Sequence, residues 1–272
     1  MSHPVGTKIQ TPNGEIEIEK LNDGDKVITY RTGDVAFLKM GKPILEIITE
    51  ENYNGEVLTI GETCKCLPNH LCLVNFTELR NRFAVYLMGR QNQFRIGKCS
   101  MDYSQSSGLS SRMRSEDADT IWLLETYETE HEAYYWEQAI SGKFGIPQLM
   151  FNPKKLMIGP SSEYIPKVWN FIGDNSIRAI ECLNYFKRDI NNPLFTKGAN
   201  KHQTMKRPMI TCASNLLYGV KFLPYKNEVH VKKDEWVKCN LQYEQYSGPV
   251  YSIKVEYPNY YIADGFVTNG IL

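Results

Sequence analysis

Two short apolar runs separated by a polar tip fix the middle of this chain. Ala84-Val85-Tyr86-Leu87-Met88 and Phe94-Arg95-Ile96-Gly97 flank Gly89-Arg90-Gln91-Asn92-Gln93. β-Formers around a Gly/Asn tip predict a β-hairpin. A short helix bearing Arg112 and Arg114 follows, then a strand at Ile121-Trp122-Leu123-Leu124. A longer helix runs from about Thr129 to Phe144 and is stopped by Gly145 and Pro147. In it Ala133, Trp136, Ile140 and Phe144 fall at helical spacing, which predicts a core-facing stripe.

The flanks read differently. Residues 2–78 are strand-rich, with turns at Asn13-Gly14 and Asp23-Gly24-Asp25. Between them Ile16 and Ile18 alternate with Glu15, Glu17 and Glu19, the pattern of an antiparallel strand with one wet face. Two further strands are expected around Leu45–Ile48 and Glu56–Ile60. Ile165 to Phe186 is expected to contain helix, with Phe171, Ile177, Ile180, Cys182 and Leu183 as its apolar positions.

Charge adds a local signal only. The chain of 272 residues has a formal net charge of zero, so any argument for nucleic acid must be regional. Residues 152–215 hold ten cations against four acids, with Tyr164, Trp169, Tyr185 and Phe186 interleaved. Lys201, Lys206 and Arg207, with His202 beside them, form the expected phosphate-contacting loop. A solvated charged face would have the same composition. The seven cysteines make an odd count without a C-x-x-C, which predicts reduced, mostly buried thiols in a cytoplasmic protein. No apolar run is long enough to span a membrane, and the start lacks an apolar signal region.

The element order of residues 79–151 resembles the GIY-YIG endonuclease fold. Ala84-Val85-Tyr86 matches the first motif and Arg95-Ile96-Gly97 the second, with Arg95 in place of the usual tyrosine. Arg112, or failing it Arg114, matches the family arginine, and Glu137 matches the glutamate. The resemblance implies Mg²⁺-dependent cleavage of double-stranded DNA. Glu137 would hold the metal, which keeps several waters. Arg112 would stabilise charge on the phosphate, and Tyr86 would orient or deprotonate water. Arg95, Lys201, Lys206 and Arg207 would contact DNA. Taken singly, these residues have plainer readings: Glu137 a solvated helix position, Arg112 a surface cation, Tyr86 a half-buried strand residue.

The flanks resemble an intein, or Hint (hedgehog/intein), domain. Gly6-Thr7-Lys8-Ile9, Gly14, Ile18-Glu19-Lys20-Leu21 and Gly24-Asp25-Lys26-Val27 match its first block, and Leu67-Pro68-Asn69-His70 its second. GPVYSIKVEYPNYYIADGFVTNG resembles the two closing blocks. The implied organisation is an all-β Hint fold from 1–78 and 216–272, interrupted by an α/β GIY-YIG-like core at 79–151 and a partly helical basic region at 152–215. Ser2 stands at the nucleophile position, where a hydroxyl is weaker than a thiolate. His70 is kept, Leu67 replaces the usual threonine, and Asn259 replaces a histidine of the closing block. One register puts Gly270 at the terminal asparagine position and forbids cleavage there. A register one residue shorter makes Asn269 that asparagine and leaves Gly270 without a nucleophile. Both exclude ordinary splicing. Three readings follow: a homing-type endonuclease in a disabled Hint domain, an autoprocessing domain using Ser2, His70 and Asn269 around an inactive insert, and a DNA-binding module whose two sites have both decayed.

Overall fold

The computed structural model describes residues 2–32, 36–101, 108–151, 161–198, 208–217, 219–225, 230–232, 236–257 and 259–270. It is mostly β-sheet, with four α-helices among the described residues. The chain divides into two compact units. Unit 1 comprises Met1–Phe76 with Arg207–Leu272, and unit 2 is Thr77–Lys206. No helix among the described residues is long and apolar enough to cross a membrane.

Unit 1 contains two sheets. The first is built on one strand of 25 residues, Ala36–Ile60. Lys26–Thr32 pairs with its start, Leu241–Val255 with most of the rest, and Cys64–Cys66 with its end. His3–Pro4 adds to the outer side of Leu241–Val255. The sequence pattern suggested two short strands here. The polar stretch between them stays extended because Tyr243–Val250 supplies hydrogen-bond partners for residues from Glu50 to Leu58. The second sheet centres on Leu71–Asn75, Phe266–Asn269, Tyr260–Ala263 and Lys8–Thr11, with Gly14–Glu17 at one edge.

The alternation around Ile16 ends sooner than its pattern suggests. The strand stops at Glu17, and Ile18–Lys20 forms a 3₁₀ turn. Ile18 donates its main-chain N–H to Thr7 and is fully buried. It packs with Ile9, Val27, Ile44, Ile253 and Tyr261, so residues from both ends of the chain share this core.

Unit 2 is a four-stranded antiparallel sheet with helices. Its strands are β1 (Phe83–Arg90), β2 (Gln93–Ser100), β3 (Thr120–Tyr127) and β4 (Phe195–Thr196), in the order β4-β3-β1-β2. The helices are α1 (Leu109–Glu116), α2 (Glu130–Phe144), α3 (Ser161–Ile172) and α4 (Ser176–Tyr185). Arg90 pairs with Gln93, so only Gln91-Asn92 turns the hairpin. Val85, Leu87, Phe94, Ile96, Trp122 and Leu124 cover one sheet face, against Ala133 and Ile140 of α2 and Ala179, Cys182 and Leu183 of α4.

The ends of α2 are set locally. Thr129 and Glu132 form a capping box, each side chain accepting the other's main-chain N–H. Gly145 ends the helix in the left-handed conformation at φ 63°, which glycine adopts without a Cβ penalty. The expected core stripe needs one correction. Trp136 is exposed and stacks on Tyr127, with ring centroids 6.0 Å apart. Glu137 takes the inward place between Ala133 and Ile140 and is only 8% exposed. From Ala133, position 137 lies about 40° round the helix and position 136 about 60°, so the sheet faces 137.

The helix expected between Ile165 and Phe186 is two helices, broken at Gly173–Asn175. Asn175 pins this break to the hairpin, accepting from the Phe94 N–H and donating to the Phe94 carbonyl. Cys182 and Leu183 are buried as expected, whereas Phe171, Ile177 and Ile180 are exposed. All seven cysteines are free thiols, five of them buried.

Thr129→Ala removes half of the capping box. It is expected to lower stability by about 1 kcal/mol, read as a lower urea midpoint with an unchanged slope.

Candidate functional site

The unit 2 site lies along the β1–β2 hairpin. Tyr86 stands directly across from Gly97. A Cβ at Gly97 would meet the Tyr86 ring and hydroxyl at 2.5 Å, so the ring occupies the space that any other residue would fill. Tyr86 is 1% exposed, not half-buried. Burial pushes its phenol well above the ordinary tyrosine range, against the opposing charge of Arg95. The phenol therefore stays protonated at neutral pH. It is suited to orienting a water rather than to taking its proton.

Glu137 reaches the site from α2. Because β2 is an edge strand, alternate N–H groups along it point away from β1. Ile96 donates to the Pro147 carbonyl, and the Lys98 N–H is directed at the Glu137 carboxylate. Glu137 is thus not a solvated helix position. Its burial raises the carboxyl pKa, while the charges of Arg95, Lys98 and Arg112 act to lower it.

Arg112 is exposed on α1 and acts electrostatically on Tyr86, Cys99 and Glu137. Arg114 is exposed too, with its Nε donating to the Ser110 carbonyl. Of the two arginines, Arg112 is the one among the charges that act on both Tyr86 and Glu137.

Arg95 requires a correction. It was expected on the DNA-facing surface, but it is 6% exposed. Its Nη1 donates to Glu116 Oε1 at 2.5 Å and its Nη2 to the Gln148 carbonyl at 2.8 Å. Its Nε is buried without an acceptor, an omission that costs about 1–3 kcal/mol. A guanidinium enclosed in this way does not reach a phosphate on the surface. Glu116 is fully buried, and its second oxygen accepts from the Phe151 N–H. Sequence reasoning passed over Glu116, because one acid in Ser115-Glu116-Asp117-Ala118-Asp119 reads as a surface charge. Lys201, Lys206 and Arg207 lie outside the described residues.

Both oxygens of Glu116 are engaged, so Glu137 is the carboxylate of this region that could hold a cation. No group of three or more His, Cys, Asp or Glu side chains forms a metal cage among the described residues. Mg²⁺ is commonly held by one or two carboxylates together with waters and substrate phosphate.

Unit 1 gathers a second set of groups. Ser2, His70, Thr268 and Asn269 are all buried. Ser2 Oγ lies 2.5 Å from Ser252 Oγ, and the Ser2 carbonyl accepts from the Leu67 N–H. Thr268 Oγ1 gives its proton to the Leu71 carbonyl, so it accepts from His70 Nε2, which must carry hydrogen. Asn269 follows Thr268 at the end of its strand, paired with Tyr260. His70 therefore lies beside the strand that carries Asn269.

His3 is the residue the sequence did not single out. Its ring is 4.2 Å from that of His70, and Tyr261 sits edge-on to both. Its Nδ1 lies 2.7 Å from the Lys65 carbonyl, which can only accept, so Nδ1 carries the proton. Nε2 is left as a bare lone pair, buried without a partner, as is the Tyr261 hydroxyl. The available signal was its place next to Ser2 in a chain with only five histidines.

Two outcomes follow from these geometries. Gly97→Ala is expected to cost about 1–3 kcal/mol by overpacking against Tyr86, measured by chemical denaturation. Burial lowers the His3 pKa from 6.5 to about 4. Between those values the unfolded chain binds a proton that the fold refuses, so stability falls as pH falls through that window. The full contribution is about 3 kcal/mol. His3→Gln should flatten the acid limb of the stability–pH curve, and an unchanged limb would contradict the assignment.

No family model matches the chain, and no curated protein matches it. Among solved structures it is similar to a bacterial intein-like domain from Clostridium thermocellum. That likeness has 13% identity and a TM-score of 0.39, over 99% of this chain and 98% of that one.

Proposed function

We propose that unit 2 is a Mg²⁺-dependent endonuclease that nicks or cuts duplex DNA, carried as an insert in an intein-like unit 1 whose splicing is lost. The observation that supports this reading is the influence of exposed Arg112 on both buried Tyr86 and Glu137. They come from β1, α1 and α2, and the charge of Arg112 acts on both Tyr86 and Glu137. Glu137 would hold Mg²⁺, which supplies charge stabilisation at the phosphate. Arg112, being exposed, meets the incoming phosphate and stabilises charge as it develops. Tyr86 orients the attacking water from its protonated phenol.

A second reading concerns unit 1. Ser2 is buried, and His70 is held with hydrogen on Nε2 by Thr268. These features support residual peptide-bond cleavage at Ser2 or after Asn269, with Gly270 offering no hydroxyl or thiol to complete a transfer. Intact mass over days would register such cleavage, and Ser2→Ala and Asn269→Ala would each remove one of its products.

The nuclease is tested on supercoiled plasmid and on genomic DNA, with Mg²⁺ or with chelator. Wild type is expected to produce nicks only with Mg²⁺. Glu137→Ala should reduce them to a residual rate, measurable with enzyme in excess, while DNA binding persists. Arg112→Ala should slow nicking by about 10²–10³-fold. Cutting by Glu137→Ala at the wild-type rate would remove Glu137 as metal ligand.

A further inference from the structure

We propose that the buried Arg95–Glu116 pair is the positioning device of the unit 2 site, fixing the separation between Arg112 on α1 and Glu137 on α2. The inference rests on the endonuclease reading and adds two residues that never touch substrate.

The pair joins three segments of chain. Arg95 belongs to β2 and Glu116 to the last turn of α1. Glu116 lies one helical turn after Arg112, so fixing one fixes the base of the other. Glu116 also accepts from the Phe151 N–H, and Arg95 donates to the Gln148 carbonyl. The Gln148 side chain then turns back to α2. Its Nε2 donates to the main-chain carbonyl of Glu137 at 3.3 Å, and its Oε1 accepts from Gln138 at 2.7 Å. A continuous chain of directional bonds thus runs from α1, through β2 and the segment after α2, to the residue that would hold the metal.

Packing alone would not need charge at this point. The side chains are 7% and 0% exposed, and apolar residues of like volume often replace such pairs without loss of stability. What an apolar pair lacks is direction. Leucine and methionine can slide past each other, whereas the guanidinium fork and the carboxylate hold one geometry. Arg95 opens the second motif, where a GIY-YIG-like chain would place tyrosine.

The test uses the whole chain and the double variant Arg95→Met/Glu116→Leu, with Glu116→Gln as a milder companion. Glu116→Gln keeps an oxygen for Arg95 and loses the acceptor for Phe151. Thermal unfolding of the double variant is expected to stay close to wild type. Hydrogen exchange in residues 109–116 and 148–151 should quicken by about tenfold or more, because local opening no longer breaks the pair. On supercoiled plasmid with Mg²⁺, kcat should fall about 100-fold with KM changed less than about threefold. Unchanged exchange in a folded double variant would overturn the proposal, as would wild-type kcat or a loss confined to KM. If the double variant fails to fold, Glu116→Gln decides on the same readouts. If wild type does not nick, the endonuclease reading fails by itself, and the exchange result still decides whether the pair holds α1.

Discussion

The pairing of Ala36–Ile60 with Leu241–Val255 is the constraint on which unit 1 depends. It joins segments from opposite ends of the chain, and each of the two strands contributes a residue, Ile44 and Ile253, to the core shared with Ile9 and Tyr261. The entropy of closing so long a loop rises slowly with length, by about 0.6 kcal/mol per doubling. A compact unit inserted between Phe76 and Arg207 therefore adds little to the cost of bringing the halves together. A long polar stretch of strand is held in place by the same pairing. Ser2, His3, His70 and Thr268 sit where strands from the two chain ends meet, which makes them a product of that closure.

Unit 2 is organised by the free edge of β2. An uncovered edge presents unpaired N–H groups and invites association with other chains. Here the edge is covered by the Pro147 carbonyl and the Glu137 carboxylate. Covering an edge with a carboxylate places a partly desolvated charge beside Arg95, Lys98 and Arg112. In the proposed nuclease, the carboxylate at this edge would also be the one that binds the cation. Arg95, the most enclosed of the three cations, pairs with Glu116, whereas Arg112 is exposed.

What could be read from the sequence was local. Thr129, Glu132 and Gly145 mark the ends of α2 because caps and left-handed glycines act within a turn. The hairpin was legible for the same reason. The rotation of α2 was not, because Trp136 and Glu137 differ by little in helical phase and only the sheet decides between them. Ala36–Ile60 could not be read as one strand, because its partner is nearly two hundred residues away. Arg95 was misplaced on the surface because its acceptor, Glu116, lies on another element with no periodic relation to it. Ser2 and His70 were legible as chemistry-bearing residue types, while His3 gained its place only from the ring contact with His70.

The claim at the centre is that Tyr86, Arg112 and Glu137 serve one phosphodiester together. Single-turnover nicking by Arg112→Ala, Glu137→Ala and the combined variant tests it most directly. Groups that act as a unit are not additive, so the combined variant should be no slower than Glu137→Ala alone. Losses that multiply, as for two independent sites, would contradict a shared centre on the β2 edge.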